Sequence, residues 1–416
     1  MARERNWSNT YTYQAARLHH PTSIDQVRQT VANATRIHAL GARHSFSGVA
    51  DTTGDLIDVS NIRPEPTIDR HQRTVTVGAA ISYGELAAFL EAHGFALRNM
   101  ASLPHLSIAG ATATGTHGSG DSNGNLATSV AALEIVTASG DLIEIRRGQR
   151  GFSGIVVGLG AFGVVTRVTL DVEPSFQMQQ DAFADLPWAE LLTNFDAIMA
   201  AAYSVSLMTM WSATTVNRLW LKKRLINQEP SHVTPTQFGA TPAAQASPGA
   251  INIDDSLTPF GAAGPWSEHL CHFRRGCEPG PTAQIQSEYM LPRTQAIAAL
   301  TRLRAIAKRI DPHLIISEIR TVAADDLWLS PSYGHDTVAI HFTWKPAPAA
   351  ADAITTEIEA LLLPLGARPH WGKLMHARAE QIAPLYPQLA EFRKLADEYD
   401  PAGKFRNQFL NEHVFG

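Results

Sequence analysis

Asn99-Met-Ala-Ser-Leu-Pro-His105-Leu-Ser-Ile-Ala-Gly110-Ala-Thr-Ala-Thr-Gly115-Thr-His117-Gly118-Ser-Gly-Asp-Ser-Asn-Gly-Asn125 holds five glycines, two histidines and a majority of small residues. It shows neither the alternation of a strand nor the spacing of a helix face. An irregular run of this length in a compact chain is functional or disordered. Small, nearly uncharged residues suit a backbone that wraps closely round a ligand.

On the N-terminal side the signals alternate briskly between helix and strand. Ser23-Ile-Asp-Gln26 opens a helix as a capping box, with Ile24, Val27 and Val31 on one face. Arg36-Ile-His-Ala-Leu40, Leu56-Ile-Asp-Val59 and Thr74-Val-Thr-Val77 read as strands. Ser82 and Glu85 start a second helix that Gly94 ends. On the C-terminal side, residues 131–138 and 142–145 flank Ser139-Gly140-Asp141 as a hairpin, and 164–172 is another strand. Residues 1–175 therefore read as one α+β domain. After Pro174 the stretches lengthen. A Pro/Ala/Gly/Thr-rich surface loop is expected at 233–250, strands at 284–290, 314–321 and 337–344, and helices at 293–310, 351–362 and 387–398. Pro346-Ala-Pro-Ala-Ala reads as a spacer.

The 416 residues suffice for about two or three domains. With 34 basic and 39 acidic residues the net charge is −5, which offers no general field for nucleic acid or an anionic membrane. Two cysteines, Cys271 and Cys277, argue against a disulfide framework and fit a reducing compartment. The start, Met-Ala-Arg-Glu-Arg-Asn-Trp7, lacks the apolar core of a secretory signal, and the run 154–165 is too short to span a bilayer. The expectation is a cytoplasmic, soluble protein without a membrane partner. No apolar stripe demands a second chain, so the reading leans to a monomer and leaves the oligomeric state open.

Five features could carry chemistry. Gly158-Leu-Gly160-Ala-Phe-Gly163 matches the dinucleotide pattern, but a strand-like run follows it where a helix is required, so it reads as a glycine-rich turn. An NAD-dependent dehydrogenase built on it is a distant alternative. His269, Cys271, His272 and Cys277 lie close in sequence but lack the ligand spacing of a zinc site, so no metal is expected. His44, in Gly41-Ala-Arg-His44-Ser45, projects from a strand end, where it is either a solvated residue or a ligand contact. Glu318 and Arg320 share one strand face, as a surface ion pair or as holders of hydroxyl groups. Lys373, in Pro369-His-Trp-Gly-Lys373, is either a snorkelling side chain or an amine whose pKa is lowered by desolvation.

In order along the chain, these pieces resemble the alditol (xylitol) oxidases among the vanillyl-alcohol-oxidase-type flavoproteins, nearly end to end. The resemblance rests on Gly41-Ala-Arg-His44-Ser45-Phe46, Asn99-Met-Ala-Ser-Leu-Pro-His105, Ala113-Thr-Gly-Thr-His117-Gly118 and Gln286-Ser-Glu-Tyr289. It continues through Glu318-Ile-Arg320-Thr321-Val322, His341-Phe-Thr-Trp344, His370-Trp-Gly-Lys373 and Asp400-Pro-Ala-Gly-Lys-Phe-Arg-Asn407. It implies an α+β fold with an FAD-binding domain of two subdomains and a cap domain built on an antiparallel sheet. The domains would be 1–175, a substrate-binding cap at 176–369, and a segment 370–416 that returns to the flavin. It also implies FAD bound covalently through His44. Backbone groups of Gly41, Ala42, Arg43, Ser45, Ser107 and Gly110 would hold the pyrophosphate, together with Thr114, Gly115, Thr116, His117 and Gly118. Gly163 and Val165 would serve the adenine side, and Ser102, His370 and Asn407 the ring side.

For catalysis the resemblance points to Lys373 and Arg320 activating a terminal hydroxyl of a polyol. Glu318, Gln286, Ser102 and Thr343 would bind the other hydroxyls, and the small Ala101 would leave room for O2, which becomes hydrogen peroxide. Simple alkanols should be rejected, since they would leave buried polar groups unpaired. Relatives often carry Gly-Ser-Gly-His-Ser where this chain has Gly41-Ala-Arg-His-Ser, so Arg43 adds a cation, placed either near the pyrophosphate or near a carboxylate. The nearest alternative is an aldonolactone oxidase, which shares the Glu-x-Arg and His-Trp-Gly-Lys elements.

Overall fold

In the computed structural model, residues 4–225, 237–243, 257–276 and 283–416 are described. Cys277 and most of the expected surface loop at 233–250 lie outside them.

The N-terminal part builds two small sheets. Arg17–His19, Asp55–Ile57 and Ile37–Ala39 pair in parallel, in that order. Thr67–Asp69, Thr74–Gly78, Val164–Asp171, Val130–Val136 and Leu142–Arg146 form an antiparallel sheet in that spatial order. Helix Ile24–Asn33 is capped by Ser23 and buries Val27 and Val31. Helix Tyr83–Ala92 carries both bonds of the Ser82/Glu85 capping box, and Gly94 takes the left-handed φ of 77° just beyond it. One expectation needs correcting here. The glycine-rich run contains a short helix, Ile108–Ala113, nucleated without a side-chain cap and packed by Ile108, Ala111 and Thr112. Tertiary packing forms it where local propensity gives no signal.

The C-terminal part is dominated by an antiparallel sheet, nine strands among the described residues. Its central run is Gln177–Pro187, Thr215–Arg224, Ser204–Thr209, Leu314–Val322, Thr337–Trp344 and Ile285–Pro292. The first three are strands that the sequence pattern does not announce. Ser204–Thr209 is buried on both faces, and Gln177–Pro187 buries Gln179, Gln180 and Asp181, so neither alternates cleanly. Asp181 is ion-paired with Lys223 at 2.7 Å, which lets a carboxylate sit in the sheet interior. Pro348 starts helix Pro348–Leu362 at its first turn, where its missing N–H costs nothing, so the last three residues of the expected spacer belong to a helix.

Alternation then decides what each face does. Leu207, Leu219, Tyr289, Ile319, Ile340 and Phe342 pack into an apolar core with the helices Ala296–Ala305 and Pro348–Leu362. The opposite face carries Gln286, Glu288, Glu318, Arg320, His341 and Thr343 to a cavity. Trp371, Met375, Phe409 and Leu410, from the C-terminal stretch, share the core of the N-terminal part. So do Trp266, Leu270 and Leu329, which lie inside the expected cap segment. No helix among the described residues is long and apolar enough to cross a membrane.

Candidate active site

The cavity has a volume of about 670 Å³ and runs between the N-terminal part and the polar face of the large sheet. Gly41, Ala42, Arg43, His44 and Ser45 line it, as do Ser107, Gly110, Thr114, Thr116 and His117. Gly163, Val165, Ala101, Ser102, His370 and Lys373 line it as well. Three expected cofactor residues do not. The absent Cβ of Gly115 faces Pro331, and that of Gly118 faces Asn99 Oδ1 at 2.2 Å, so both are glycines for close packing. The Asn407 amide donates to the carbonyls of Gly48, Val49 and Asp51, which ties the C-terminal segment to the turn after His44.

Three strands set the polar end. Register places Gln286 opposite Thr343, and Glu288 opposite His341, which in turn sits opposite Glu318. Arg320, two residues on from Glu318, reaches Glu288 at 3.1 Å, Ser102 Oγ at 3.4 Å and Glu318 at 3.6 Å. His117 Nε2 lies 3.1 Å from the same Glu288 oxygen. His272 Nε2 is 2.7 Å from Glu318 Oε1. Glu288, His341 and His272 were not expected as site residues. The first two follow from the alternation that pairs Glu318 with Arg320, applied to the neighbouring strands, whereas the sequence singles out His272 only within a rejected metal cluster and its place beside Glu318 comes from the fold.

Lys373 arrives from another segment. Arg368–Pro369 pairs with Ile285–Pro292, and His370 N and Leu374 N continue that pairing onto the carbonyls of Glu288 and Gln286. This docks Lys373 so that its ammonium bonds Gln286 Oε1, 5.3 Å from the Phe46 ring centroid. Phe46 N donates to the Gly372 carbonyl at 2.7 Å, so the Lys373 turn and the His44 loop are joined.

Charge in this site is balanced. Burial opposes ionisation of Glu288, but His117 and Arg320 hold its carboxyl well below the usual range. Burial is likewise overcome at Glu318, chiefly by Arg320 and His272. Burial presses Lys373 down to about 8, against the pull of Glu288 and with repulsion from Arg320. His341 and His370 are pushed down to about 3, mainly by burial, and are neutral at pH 7. Two carboxylates thus face one guanidinium and one amine poised near neutrality. Such a wall offers donors and acceptors to hydroxyl groups without demanding a charged ligand.

The other end is built of backbone. A Cβ on Gly41 or Gly110 would come within 3.0 and 2.8 Å of Ser107 Oγ, so the two segments lie close together round this side chain. Residues 41–45 and 107–116 contain no lysine, and Arg43 is engaged at 3.3 Å with both Asp58 and Glu4. Of its two expected placements, Arg43 takes the one near a carboxylate. A cavity lined in one part by glycines and small residues without lysine, and in another by a charge-balanced polar wall, fits FAD, although the N–H groups of Ala42, Thr114, Gly115 and Thr116 are already bonded within the protein. His44 lines the same cavity, its ring 4.3 Å from His105 and 5.0 Å from Trp7. Burial first, then His105 and Lys373, push its pKa down to about 3, leaving a neutral imidazole with a free lone pair.

One rejected reading is answered by geometry. Strand Val164–Asp171, not a helix, follows Gly163, so no helix N-terminus meets a phosphate there. His269 is bonded to the Pro265 and Ala262 carbonyls and His272 to Glu318, while Cys277 is outside the described residues.

Comparison with known proteins follows the same division. The family model described as "FAD binding domain" matches residues 15–146, and that for D-arabinono-1,4-lactone oxidase matches 277–413. The chain is 43 % identical to an alditol oxidase of a Streptomyces species, over 99 % of each chain. It is 26 % identical to L-gulonolactone oxidase of Mus musculus, over 99 % and 98 % of the two chains. Among solved structures, a cholesterol oxidase of Brevibacterium sterolicum superposes with a TM-score of 0.80 at 16 % identity, covering 99 % of this chain and 96 % of that one. That likeness speaks for the fold alone.

Proposed function

The chain belongs to the alditol oxidases of the vanillyl-alcohol-oxidase-type FAD-linked family, and from that premise we propose how its own residues carry out the oxidation of an alditol's terminal hydroxyl to the aldose. FAD, when bound, supplies the two-electron acceptor and the route of those electrons to O2, which leaves as hydrogen peroxide. The lactone-oxidising relatives are more distant, which favours the alditol as substrate over an aldonolactone.

The observation that carries the assignment of roles is the meeting of Lys373 and Arg320 with Gln286, Glu288 and Glu318 on one charge-balanced wall. Lys373 is the group that takes the hydroxyl proton: with a pKa of about 8, its amine is part deprotonated near neutrality. Gln286 Oε1 orients that amine. Arg320 cannot lose its proton, so it binds the reacting oxygen as a fixed donor. Glu318, Gln286, Ser102 and Thr343 hold the remaining hydroxyls. Glu288 serves as the counter-charge of Arg320 and His117, a role beyond the expected set.

His44 is the covalent tether of the flavin, supported by its neutral imidazole lining the cavity on a loop that Phe46 N ties to the Lys373 turn. Ala101, 4 % exposed on the cavity wall, leaves space for O2. Residues 1–175 form the flavin domain, 176–369 the cap, and 370–416 the segment that closes the site, with 266–270 and Leu329 packing on the flavin side.

Acid denaturation of the purified yellow protein tests the tether. Colour should stay with the polypeptide and wash off His44→Ala; colour lost from the wild type removes the covalent assignment. Oxygen uptake with xylitol or sorbitol, set against a gulono- or galactonolactone, tests the substrate class. Faster turnover of the lactone would reverse the assignment.

A further inference from the structure

Lys222 is 1 % exposed, and its ammonium donates to the backbone carbonyls of His269 at 2.6 Å, Leu270 at 3.0 Å and Cys271 at 2.5 Å. These carbonyls lie at the end of the short helix Trp266–His269, where a helix leaves its acceptors unpaired. A buried lysine is costly to keep, and here it fixes one turn of chain. That turn leads directly onto the cavity. His272 N and Phe273 N both donate to the Ser102 carbonyl, at 3.1 and 3.2 Å. Thr258 N donates to the His272 carbonyl at 3.1 Å, and the Trp220 ring stands edge-on to the imidazole at 5.0 Å.

The imidazole itself is aimed at Glu318. Arg320 lies nearer to Glu288 (3.1 Å) than to Glu318 (3.6 Å), whereas His272 Nε2 reaches Glu318 Oε1 at 2.7 Å. An ionised carboxylate only accepts, so Nε2 carries the hydrogen. Nδ1 is then a buried lone pair with no hydrogen-bond partner. A site that leaves one ring nitrogen unsatisfied in order to direct the other at a carboxylate is built round that second bond.

We propose that His272 is a positioning residue for the polyol site: its Nε2–H fixes the Glu318 carboxylate, and the turn pinned by Lys222 holds Ser102 and Glu318 in one fixed relation. This rests on Ser102 and Glu318 binding the substrate's hydroxyls. The turn therefore acts on substrate affinity and on discrimination between polyols, through the two residues it holds and not by contact with the reacting carbon.

The experiment compares full-length, FAD-loaded wild type, His272→Phe and His272→Gln by oxygen uptake with xylitol. Phenylalanine keeps the ring and removes the donor; glutamine restores a donor. In His272→Phe, KM should rise at least tenfold while kcat stays within about threefold. Below the acid limb that Lys373 gives the wild type, a second, more acidic limb should appear in kcat/KM as Glu318 becomes easier to protonate. The other groups acting on Glu318 are Arg320, His341, Lys373 and Lys222, all unaltered, so a new limb reports the lost His272 bond. His272→Gln should recover most of the KM and abolish the second limb, leaving that of Lys373. The flavin spectrum and unfolding midpoint show whether each variant is intact, and His272→Ala replaces His272→Phe under the same criteria if the latter is not recovered folded. Wild-type KM and pH profile in the donor-less variant overturn the proposal, as does equal damage in His272→Phe and His272→Gln. An inactive wild type with alditols strikes instead at the substrate assignment, which the variants do not address.

Discussion

Replacing Lys373 by methionine should slow alditol oxidation and stabilise the protein in the same stroke. The amine sits at about 8 instead of 10.5 because burial outweighs the attraction of Glu288 and Glu318, with Arg320 repelling it. Lowering from 10.5 to about 8 corresponds to roughly 3 kcal/mol of cost in holding the protonated amine. The folded-state value lies below the unfolded one, so this penalty is fully present below about pH 8 and fades as pH climbs towards 10.5. Methionine fills similar space without the charge. Losing the bond to Gln286 and the contact with Phe46 takes back about 1 kcal/mol, leaving a net gain of about 2 kcal/mol at pH 7. Catalysis moves the other way: a positioned base contributes about 10²- to 10⁴-fold, or roughly 3–5 kcal/mol of barrier. Oxygen uptake with xylitol should show kcat/KM rising with pH to a plateau above about pH 8 in the wild type, and a drop of about 10³-fold in Lys373→Met. Urea midpoints at pH 7 and pH 10 should show the variant ahead at the first and level at the second. Unchanged kcat/KM would remove Lys373 from proton transfer, and a lower midpoint at pH 7 would refute the burial argument.

Glu288→Gln should be among the more damaging conservative changes, because it strips the buried Arg320 of its nearer carboxylate. Removing one partner of a buried pair costs about 3–5 kcal/mol, to be read as a lowered urea midpoint; a midpoint equal to wild type would show that Glu318 alone balances Arg320. Arg43 adopts a left-handed φ of 62°, a conformation that costs any residue but glycine. Arg43→Gly should relieve about 1 kcal/mol of strain while losing a part-buried pair with Asp58 and a more exposed one with Glu4, each worth up to about 1 kcal/mol, so thermal unfolding should show a loss of no more than about 1 kcal/mol. A loss well beyond that would make the Asp58 pair a structural requirement of the His44 loop.

Much of the N-terminal part can be read along the chain, because its elements carry their own punctuation. The Ser82/Glu85 box, the Gly94 stop and the Ser139-Gly140-Asp141 turn each act within a few residues, and each appears where the local rule puts it. The three unannounced strands of the large sheet fail for the opposite reason. Gln179, Gln180 and Asp181 are buried by partners distant in sequence, so their polarity misleads any pattern that equates polar with exposed. Helix Ile108–Ala113 is similar, being a six-residue turn of small residues held by what packs against it.

The sequence by itself determined the chemistry available: a glycine-rich backbone without lysine, a histidine at a strand end, and carboxylate, guanidinium and amine at Glu318, Arg320 and Lys373. Strand periodicity alone also places Glu318 and Arg320 on one face. Only the tertiary structure decided which charges meet. Register across three strands sets Glu288, His341 and Glu318 in one row, and a separate segment delivers Lys373 to Gln286. Whether Lys373 is a solvated cation or an amine poised near neutrality depends on burial and on charges brought from far along the chain. Desolvation and charge–charge energies are set by separation in space, and local sequence rules reach only the few residues that one turn or one strand spans.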